Sequence, residues 1–346
     1  MNPVASLYGA AALARRRWYA RHPEARLRLE RPVISVGNLT VGGSGKTPAV
    51  RYLAHLLLRM GERPSILSRG YGRRAVSDEV VVVSDGRRVL ADLDHAGDEP
   101  LMLARDVPGA AVLVSPDRHP AGALAESSLG CTVHLLDDGF QHMKLDRDID
   151  LLLVGAGDQA ETPLPGGRLR EPLTAASAAD ALVVDGSDED AQALVRCLGV
   201  SQAFRATRGM RPPRAVVPFG DAADLAPGVS VFALAGIARP ERFFAAVREQ
   251  GWRIVGEGRV RDHHRYSAAD VARTIDLARS RQATAIMTTE KDAIRLEPHG
   301  PFALPIVWLP LELTIEPAEI FRQWLALRLA SATRARVEAR AKAAGR

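Results

Sequence analysis

The stretch of residues 32–48 constrains the fold of this chain more than any other feature. It begins with a short apolar run at residues 33–36, continues as a glycine-rich loop and ends in Lys46 and Thr47, where an amphipathic helix begins. Strand, glycine-rich loop and helix in this order are typical of a P-loop, in which backbone N–H groups and the helix N-terminus bind phosphate. A glycine-rich turn without a nucleotide is the alternative interpretation, and the flanking strand and helix patterns disfavour it.

The loop departs from the strict P-loop pattern at one position, because Thr40 stands where the pattern has its first glycine. In phosphoryl-transfer enzymes of this kind the loop lysine contacts the β- and γ-phosphates and the following hydroxyl binds Mg²⁺, which are the roles expected for Lys46 and Thr47. The residues predicted to bind the nucleotide are Thr40, Val41, Gly42, Gly43, Ser44, Gly45, Lys46 and Thr47.

A second strong signal lies at residues 132–139, where a mostly apolar run is followed by Asp137 and Asp138. A carboxylate at the end of a buried strand beside the P-loop strand holds Mg²⁺, directly or through water. A strand that ends in an ordinary Asp-Gly turn is the alternative interpretation, but the P-loop favours the metal site.

Two other polar segments are candidates for the site. Asp98 and Glu99 stand just before a helix predicted to begin at Leu101, and they either cap that helix or serve as a base and a metal partner. Residues 64–68 predict a strand that runs into a basic loop at Arg69. Because ligands of open parallel sheets bind at strand C-termini, Arg69 is a candidate phosphate or substrate contact, although a solvated loop arginine is the default.

The order of the predicted elements indicates an α/β fold: a P-loop NTPase-like, mostly parallel sheet flanked by helices, with a second, smaller α/β domain. A chain of 346 residues, 47% of them hydrophobic, suits two domains. A hairpin is predicted at residues 79–90, the first sheet is predicted to close at residues 179–184, and residues 306–310 are predicted to pair with 203–207. The predicted division is an N-terminal helix at 1–27, a P-loop core at 28–200 completed by a helix at 314–332, a two-strand linker at 201–218 and 303–313, a smaller domain at 219–302 and a basic tail at 333–346.

Residues 2–22 form a pattern that has two interpretations. Apolar side chains recur at helical spacing and arginines crowd the far end, so the helix either lies in a membrane interface or docks on its own domain. The net charge of +5 suits an acidic partner such as a nucleotide, a nucleic acid or an anionic membrane. Two cysteines without metal-ligand spacing favour a reducing compartment, and no apolar run approaches the ~20 residues of a transmembrane helix.

Several segments carry a resemblance to a known family. They lie at residues 37–48, 67–73, 97–100, 136–142, 169–172, 235–244, 262–263 and 288–292. In this order they resemble the tetraacyldisaccharide 4'-kinases of lipid A biosynthesis, whose P-loop also has threonine at the position of Thr40. The resemblance implies a kinase that uses ATP and Mg²⁺ to phosphorylate the 4'-hydroxyl of tetraacyldisaccharide 1-phosphate, which gives lipid IVA. It implies a place at the cytoplasmic face of a Gram-negative inner membrane, with the lipid A precursor and the membrane surface as partners, no nucleic acid and no obligate protein partner.

The resemblance also implies roles for individual residues. Asp98 matches the family's catalytic carboxylate, His263 matches a histidine that pairs with it, and Lys46 completes the predicted catalytic set. Because His263 belongs to the smaller predicted domain and Asp98 to the larger, the site would lie between them, and domain closure would complete it. Ser68 and Arg69 are weaker candidates for substrate contact. The expected metal ligands are Thr47, Asp137, Asp138 and Glu99.

Two hypotheses compete with the kinase. The first is a GTPase switch or a metal-insertion ATPase, but residues 289–292 have the wrong spacing for a guanine-reading motif, and His263-His264 is too small a cluster for a metal carrier. The second is a membrane-associated nucleotide-binding scaffold without catalysis. In a scaffold, alanine at Asp98, Asp138 or His263 would leave function intact.

Overall fold

The computed structural model describes residues 3–42, 45–75, 79–218, 220 and 225–344. Within these ranges the chain forms fourteen β-strands and ten α-helices. The strands are β1 Val33–Asn38, β2 Pro64–Ser68, β3 Val81–Asp85, β4 Ala111–Val114, β5 Val133–Asp137, β6 Ile149–Gly155, β7 Ala181–Asp185, β8 Ala203–Met210, β9 Arg214–Ala215, β10 Ser230–Ala235, β11 Arg253–Arg259, β12 Ala285–Thr289, β13 Ile306–Leu309 and β14 Leu311–Glu316. The helices are α1 Pro3–Arg21, α2 Lys46–Arg59, α3 Leu93–Ala96, α4 Asp98–Asp106, α5 Arg118–Leu129, α6 Asp188–Leu198, α7 Pro240–Glu249, α8 Ala268–Ser280, α9 Glu290–Leu296 and α10 Ala318–Ala344.

The larger sheet has nine strands in the order β14-β8-β7-β6-β1-β5-β2-β4-β3, parallel except for the two edge strands, β14 and β3. Every residue of β1 is buried, as expected for a central parallel strand covered on both faces. The strand order reverses around β1, which lies between β5 and β6. Ligands of open α/β sheets bind at such a point, beyond the carboxyl ends of the strands.

Helices cover both faces of this sheet. Alternate strand residues point to opposite faces, so Ile34 packs with α2, α4 and α10, whereas Val33 packs with α5.

The smaller sheet has the order β11-β10-β12-β13-β9 and is parallel except for β9. It has its own core, with α7 on one face and α8 and α9 on the other. The α/β class and the second, smaller sheet are therefore confirmed.

Helix α9 joins the second sheet to the P-loop helix. Its Ile294 packs in the core of the larger sheet. Arg51 of α2 lies 2.7 Å from Glu290 of α9 and 2.6 Å from Asp106 of α4. These contacts hold the start of α9 against the elements that carry the P-loop and Asp98.

The strand pairing predicted for the connection between the sheets is wrong. Residues 203–210 pair with β7 and β14 in the larger sheet, and Ile306–Leu309 lies in the smaller sheet between β12 and β9. Residues 179–184 therefore do not close the larger sheet. Phe204 on β8 and Ile315 on β14 complete the core under α10, so apolar burial selects this pairing. The division of the chain into domains stays a prediction.

Three predicted local boundaries also differ. Helix α10 continues to Ala344, so residues 333–344 extend a helix instead of forming a separate tail, and Arg336 and Arg340 anchor it through Asp148 and Glu30. The second arm of the predicted hairpin contributes only an isolated bridge, while β3 pairs with β4. Helix α4 begins at Asp98, three residues before Leu101, because the preceding Gly97 has a positive φ of 83° that breaks it from α3.

Candidate active site

The P-loop follows β1 and opens α2. Gly42 and Gly45 have positive φ angles of 92° and 85°, and α2 begins at Lys46. The Nζ of Lys46 donates to Oδ1 of Asn38 at 3.0 Å, and Lys46 and Thr47 line the same cavity. The predicted nucleotide contacts Gly43 and Ser44 lie outside the described residues.

The start of the loop is held by the protein itself. Thr40 is buried, and its hydroxyl accepts a hydrogen bond from Nδ2 of Asn38 at 2.9 Å. The Val41 N–H donates to the carbonyl of Arg168 at 2.8 Å. Both groups are thus engaged within the chain and shape the start of the loop, and nucleotide contacts of Thr40 and Val41 stay a prediction.

Asp137 ends β5 and Asp138 follows it, beside the P-loop strand, since Asp137 is in register with Val36 of β1. Asp137 is 4% exposed, and burial together with the charges of Glu99 and Asp138 raises its pKa to about 7. Burial acts in the same direction on Asp138, but the charges of Lys46 and Arg170 outweigh it and lower the pKa of that carboxyl. Arg170 donates to Oδ2 of Asp138 at 2.6 Å.

These carboxylates fit a magnesium site that a bound nucleotide would complete. Among the residues that the structure describes, no group of three or more histidine, cysteine or acidic side chains could hold a metal ion alone. Mg²⁺ usually takes only one or two carboxylates and completes its shell with phosphate oxygens and water. Thr47, Asp137, Asp138 and Glu99 line one cavity, and the raised pKa of Asp137 marks a carboxylate that lacks sufficient positive charge.

Asp98 and His263 are brought together across the two sheets. Oδ2 of Asp98 lies 3.0 Å from Nδ1 of His263, and the same oxygen is paired with Arg295. Burial would raise the pKa of Asp98, but the hydrogen bond from His263 and the charges of Arg295 and Lys291 outweigh it and hold that pKa well below its usual range. The hydrogen bond to Asp98 raises the pKa of His263 above its ordinary value.

The two members of this pair differ in access. Asp98 is 3% exposed and does not line the cavity, whereas His263 lines it with 22% of its side chain exposed. The ring of His263 lies 4.9 Å from that of Tyr71, edge to face. His263 therefore stands between the cavity and the buried carboxylate.

The other candidates lie at the cavity wall. Glu99 is ion-paired with Lys291 of α9, and the charges of Glu99 and Asp98 overcome burial and raise the pKa of Lys291 to about 12. Ser68, which is buried, and Arg69, which is exposed, both line the cavity at the end of β2.

Sequence reasoning missed several charged or polar side chains of this site. They are Asn38, Arg118, Arg170, Lys291 and Arg295. Arg118 is 2% exposed, and burial and the neighbouring Arg69 lower its pKa to about 10. The strand-end rule that selected Arg69 applies equally to Arg118, which comes four residues after β4. No spacing pattern in the sequence identifies Arg295 as a residue of the site.

The cavity has a volume of about 1230 Å³. Pockets for one small molecule usually measure roughly 300–1,000 Å³, so this cavity is larger than one small ligand requires. Its wall runs from the P-loop and the acidic cluster to His263, and Tyr8 and Arg15 of α1 form part of its rim. Within the described chain, no helix has the length and apolar character that a membrane span requires.

Comparison with known proteins identifies the family. The family model described as tetraacyldisaccharide-1-P 4'-kinase matches residues 1–330. The tetraacyldisaccharide 4'-kinase of Geobacter sulfurreducens is 39% identical over 330 residues, which cover 91% of this chain and 89% of that protein. The enzyme of the same name from Koribacter versatilis is 38% identical over 92% of this chain and 95% of its own length.

A solved structure agrees with these matches. The LpxK protein of Aquifex aeolicus, crystallised in complex with ATP, superimposes with a TM-score of 0.77 and 31% identity over 94% of this chain and 98% of that one. The switch, metal-insertion and scaffold hypotheses are therefore set aside. The chain belongs to the tetraacyldisaccharide 4'-kinase family and is a kinase of lipid A biosynthesis.

Proposed function

We propose that the cavity binds Mg²⁺-ATP and transfers the γ-phosphate to the 4'-hydroxyl of tetraacyldisaccharide 1-phosphate at the cytoplasmic face of the inner membrane. The observation that carries this proposal is that Lys46, Asp137 and His263 line one cavity with room for a nucleotide and a sugar. Phosphoryl transfer requires that donor and acceptor lie side by side with their charges neutralised, and it needs little covalent help from the protein.

On the donor side, Lys46 and the loop N–H groups bind the β- and γ-phosphates. Asn38 and Asp138 hold the Lys46 ammonium, at 3.0 Å and 3.5 Å from Nζ. Mg²⁺ would neutralise charge on the transferring phosphoryl group, and Thr47, Asp137 and Asp138 would hold it, with Glu99 at its edge.

On the acceptor side, the Asp98–His263 pair accepts the proton of the 4'-hydroxyl. The 3.0 Å contact fixes Nδ1 of His263 against Asp98, so Nε2, which lies 3.7 Å from Oδ1 of Asp262, is the ring nitrogen proposed to meet the acceptor. The carboxylate stabilises the positive charge that the ring gains with the proton. Lys46, Asp98 and His263 thus form the proposed catalytic set, with Ser68 and Arg69 at the wall where the acceptor binds.

Helix α1 supports the proposed membrane location. Arg16 donates to Glu171 from Nε at 2.7 Å and lies 4.2 Å from the ring centroid of Phe140, which docks the helix on the core. Val4, Leu7 and Trp18 nevertheless remain exposed, and the exposed Arg17 precedes Trp18. A docked helix with exposed apolar and basic side chains suits an enzyme whose acceptor stays in an anionic bilayer, so the proposal combines both interpretations of residues 2–22.

The test is transfer of radiolabelled γ-phosphate from ATP to tetraacyldisaccharide 1-phosphate in detergent micelles. We expect wild type to label the lipid and Asp98→Asn to lose about 10³-fold in rate, since general base catalysis contributes about 10²–10⁴-fold. Asp276→Asn is the matched control, because Asp276 is an exposed carboxylate on α8.

The control variant should transfer phosphate like wild type. Folded wild-type protein that binds ATP and leaves this lipid unlabelled would contradict the assigned acceptor. Full activity in Asp98→Asn would instead remove the proposed role of the Asp98–His263 pair while keeping the kinase.

A further inference from the structure

Arg208 of β8 places a second cation beside the P-loop. It lines the cavity, and a Cβ built on Gly45 would lie 2.9 Å from its Nη2. The same Nη2 lies 2.8 Å from Oδ2 of Asp185, at the end of β7. One guanidinium is therefore held between an acidic side chain and the backbone of the P-loop.

The pairing of β8 explains why Arg208 reaches the loop. Residues 203–206 pair with β7, whereas residues 207–210 pair with β14 alone, so the strand continues past the carboxyl end of β7. Alternate residues of a strand share a face, and Phe204 and Ala206 are buried in the core that also contains α2. Arg208 is the next residue on that face. It emerges beyond the sheet at the start of α2, on the edge where ligands of open α/β sheets bind.

Arg208 approaches the P-loop from the side opposite the acidic cluster. In the sheet order, β5 with Asp137 lies on one side of β1, and β6, β7 and β8 lie on the other. The proposed magnesium and the γ-phosphate belong to the β5 side, because the metal of phosphoryl-transfer enzymes bridges the β- and γ-phosphates. A phosphate beside Arg208 is therefore one that lies farther from the transferred group.

The charges at this point favour an anion. Gly45 precedes the first turn of α2, whose N-terminus carries partial positive charge, and Lys46 adds a full charge. Both repel a guanidinium in the same place. Asp185 offsets only part of this repulsion, because its side chain is 40% exposed to solvent. A guanidinium has five N–H donors, more than one carboxylate accepts, and its planar fork matches phosphate oxygens.

We propose that Arg208 is a nucleotide-binding residue of the kinase: it bonds the α- and β-phosphates of ATP from the β8 side, while Lys46 and Mg²⁺ act at the γ-phosphate from the β5 side. This inference rests on the proposed function, which assigns Mg²⁺-ATP to the cavity. Because Arg208 contacts phosphates whose charge changes least in the transfer, it contributes to binding and not to the chemical step. Its removal should thus raise the KM for ATP and leave kcat at saturating ATP near the wild-type value.

The experiment is calorimetric titration of ADP and of a non-hydrolysable ATP analogue into wild type, Arg208→Met and Arg208→Lys, each with Mg²⁺ and with EDTA. We expect Arg208→Met to bind both nucleotides about thirtyfold more weakly, as for the loss of a hydrogen bond between charged groups, and by the same factor with and without Mg²⁺. Arg208→Lys keeps the charge and loses the fork, so its affinity should fall about fivefold. Arg205→Met is the matched control, because Arg205 is an ion-paired arginine of the same strand outside the cavity.

Steady-state kinetics in the labelled-phosphate assay supply the second readout. Arg208→Met should raise the KM for ATP by about the same thirtyfold, with kcat and the KM for the lipid within about twofold of wild type. A merely structural role would instead disturb the P-loop as a whole, and kcat would fall together with the affinity for nucleotide.

The outcomes separate this inference from the proposed function. Unchanged ADP affinity in Arg208→Met would overturn the inference, as would an equal loss in Arg205→Met. A loss confined to the ATP analogue, or one that vanishes in EDTA, would place Arg208 at the γ-phosphate or the metal and would overturn it too. If Arg208→Met does not fold, Arg208→Gln replaces it with the same expected loss. Wild-type protein that binds neither nucleotide contradicts the proposed function, whereas unchanged binding by Arg208→Met beside normal binding by wild type contradicts only the role of Arg208.

Discussion

Asp98 and Asp137 are two buried carboxylates of one site, and their surroundings are opposite. They are 3% and 4% exposed. Asp98 is enclosed by a histidine and an arginine that lower its pKa, whereas burial and two neighbouring carboxylates raise the pKa of Asp137 to about 7. Equal burial thus has different consequences, because the protein surrounds one carboxylate with positive charge and places the other beside two further carboxylates.

This difference separates the two halves of the proposed reaction. The acceptor half, around Asp98, is complete in the protein alone and fixed in place by Arg295. The donor half, around Asp137, is electrostatically incomplete, and a divalent cation with its nucleotide would complete it. The predictions below test whether the two carboxylates behave as differently as their surroundings indicate.

The largest expected effect is the loss of magnesium-dependent transfer in Asp137→Asn. We expect kcat to fall about 10³-fold, because a metal contributes several kcal/mol of transition-state stabilisation and each 1.36 kcal/mol is tenfold. The measurement is the transfer rate as a function of Mg²⁺ concentration, in which the variant should need more Mg²⁺ for its residual activity. An unchanged Mg²⁺ dependence would show that Asp137 is no metal partner.

The second prediction concerns stability, which replacement of Asp98 should lower and replacement of Asp137 should not. Without nucleotide or Mg²⁺ at pH 8, Asp98→Asn should lower the free energy of unfolding by about 3 kcal/mol, because the buried Arg295 loses one of its two carboxylate partners and keeps only Asp292. The pKa of Asp137 is raised in the folded protein. Such a carboxyl contributes stability below its unfolded pKa and loses that contribution as the pH rises through its folded pKa. At pH 8 the contribution is lost, so Asp137→Asn should be neutral or stabilising.

Urea unfolding of both variants beside wild type measures these changes. Destabilisation of equal size in both variants would contradict the contrast between the two environments. Asp276→Asn again serves as the control and should unfold with wild type.

The third prediction is a pH dependence that belongs to the acceptor half. The pKa of His263 is raised above its ordinary 6.5, and the ring must be neutral to accept a proton, so kcat/KM should rise with pH through that raised value. In His263→Gln this limb should disappear and the residual rate should change little over the same range. A limb that persists in His263→Gln would assign it to another group.

The smallest expected effect lies outside both halves, at α1. Arg16→Lys loses the two-pronged bond to Glu171 but keeps the charge, so the helix that forms the cavity rim should be held less firmly. We expect the KM for the lipid in vesicles to rise about fivefold with kcat unchanged, the equivalent of about 1 kcal/mol. Arg17→Lys, on an exposed position of the same helix, should leave KM unchanged.

The sequence was most informative where short-range patterns carry the chemistry. The apolar strand, the glycine loop and the acidic pair at the end of β5 predicted the P-loop and its neighbouring carboxylates, since these follow from local geometry and strand order. The pairing of Asp98 with His263 came from resemblance alone, because 165 residues separate them and no local rule brings them together.

The parts that sequence reasoning missed depend on long-range packing. The pairing of β8 with β14 is selected by the core under α10, and alternating apolar residues define a face but not a partner strand. Arg295 escaped notice because it reads as an ordinary helix residue. Its contact with Asp98, from which 197 positions separate it in the chain, depends on the packing of distant segments.

The most direct test of the division between the two carboxylates is calorimetric binding of a non-hydrolysable ATP analogue, with and without Mg²⁺, to Asp98→Asn and Asp137→Asn. We expect Asp98→Asn to bind the analogue with Mg²⁺ as tightly as wild type although it transfers almost no phosphate, and Asp137→Asn to lose the part of the affinity that depends on Mg²⁺. If Asp98→Asn weakened Mg²⁺-dependent binding as much as Asp137→Asn does, the two carboxylates would share one role, and the assignment of one to the acceptor and the other to the donor would be wrong.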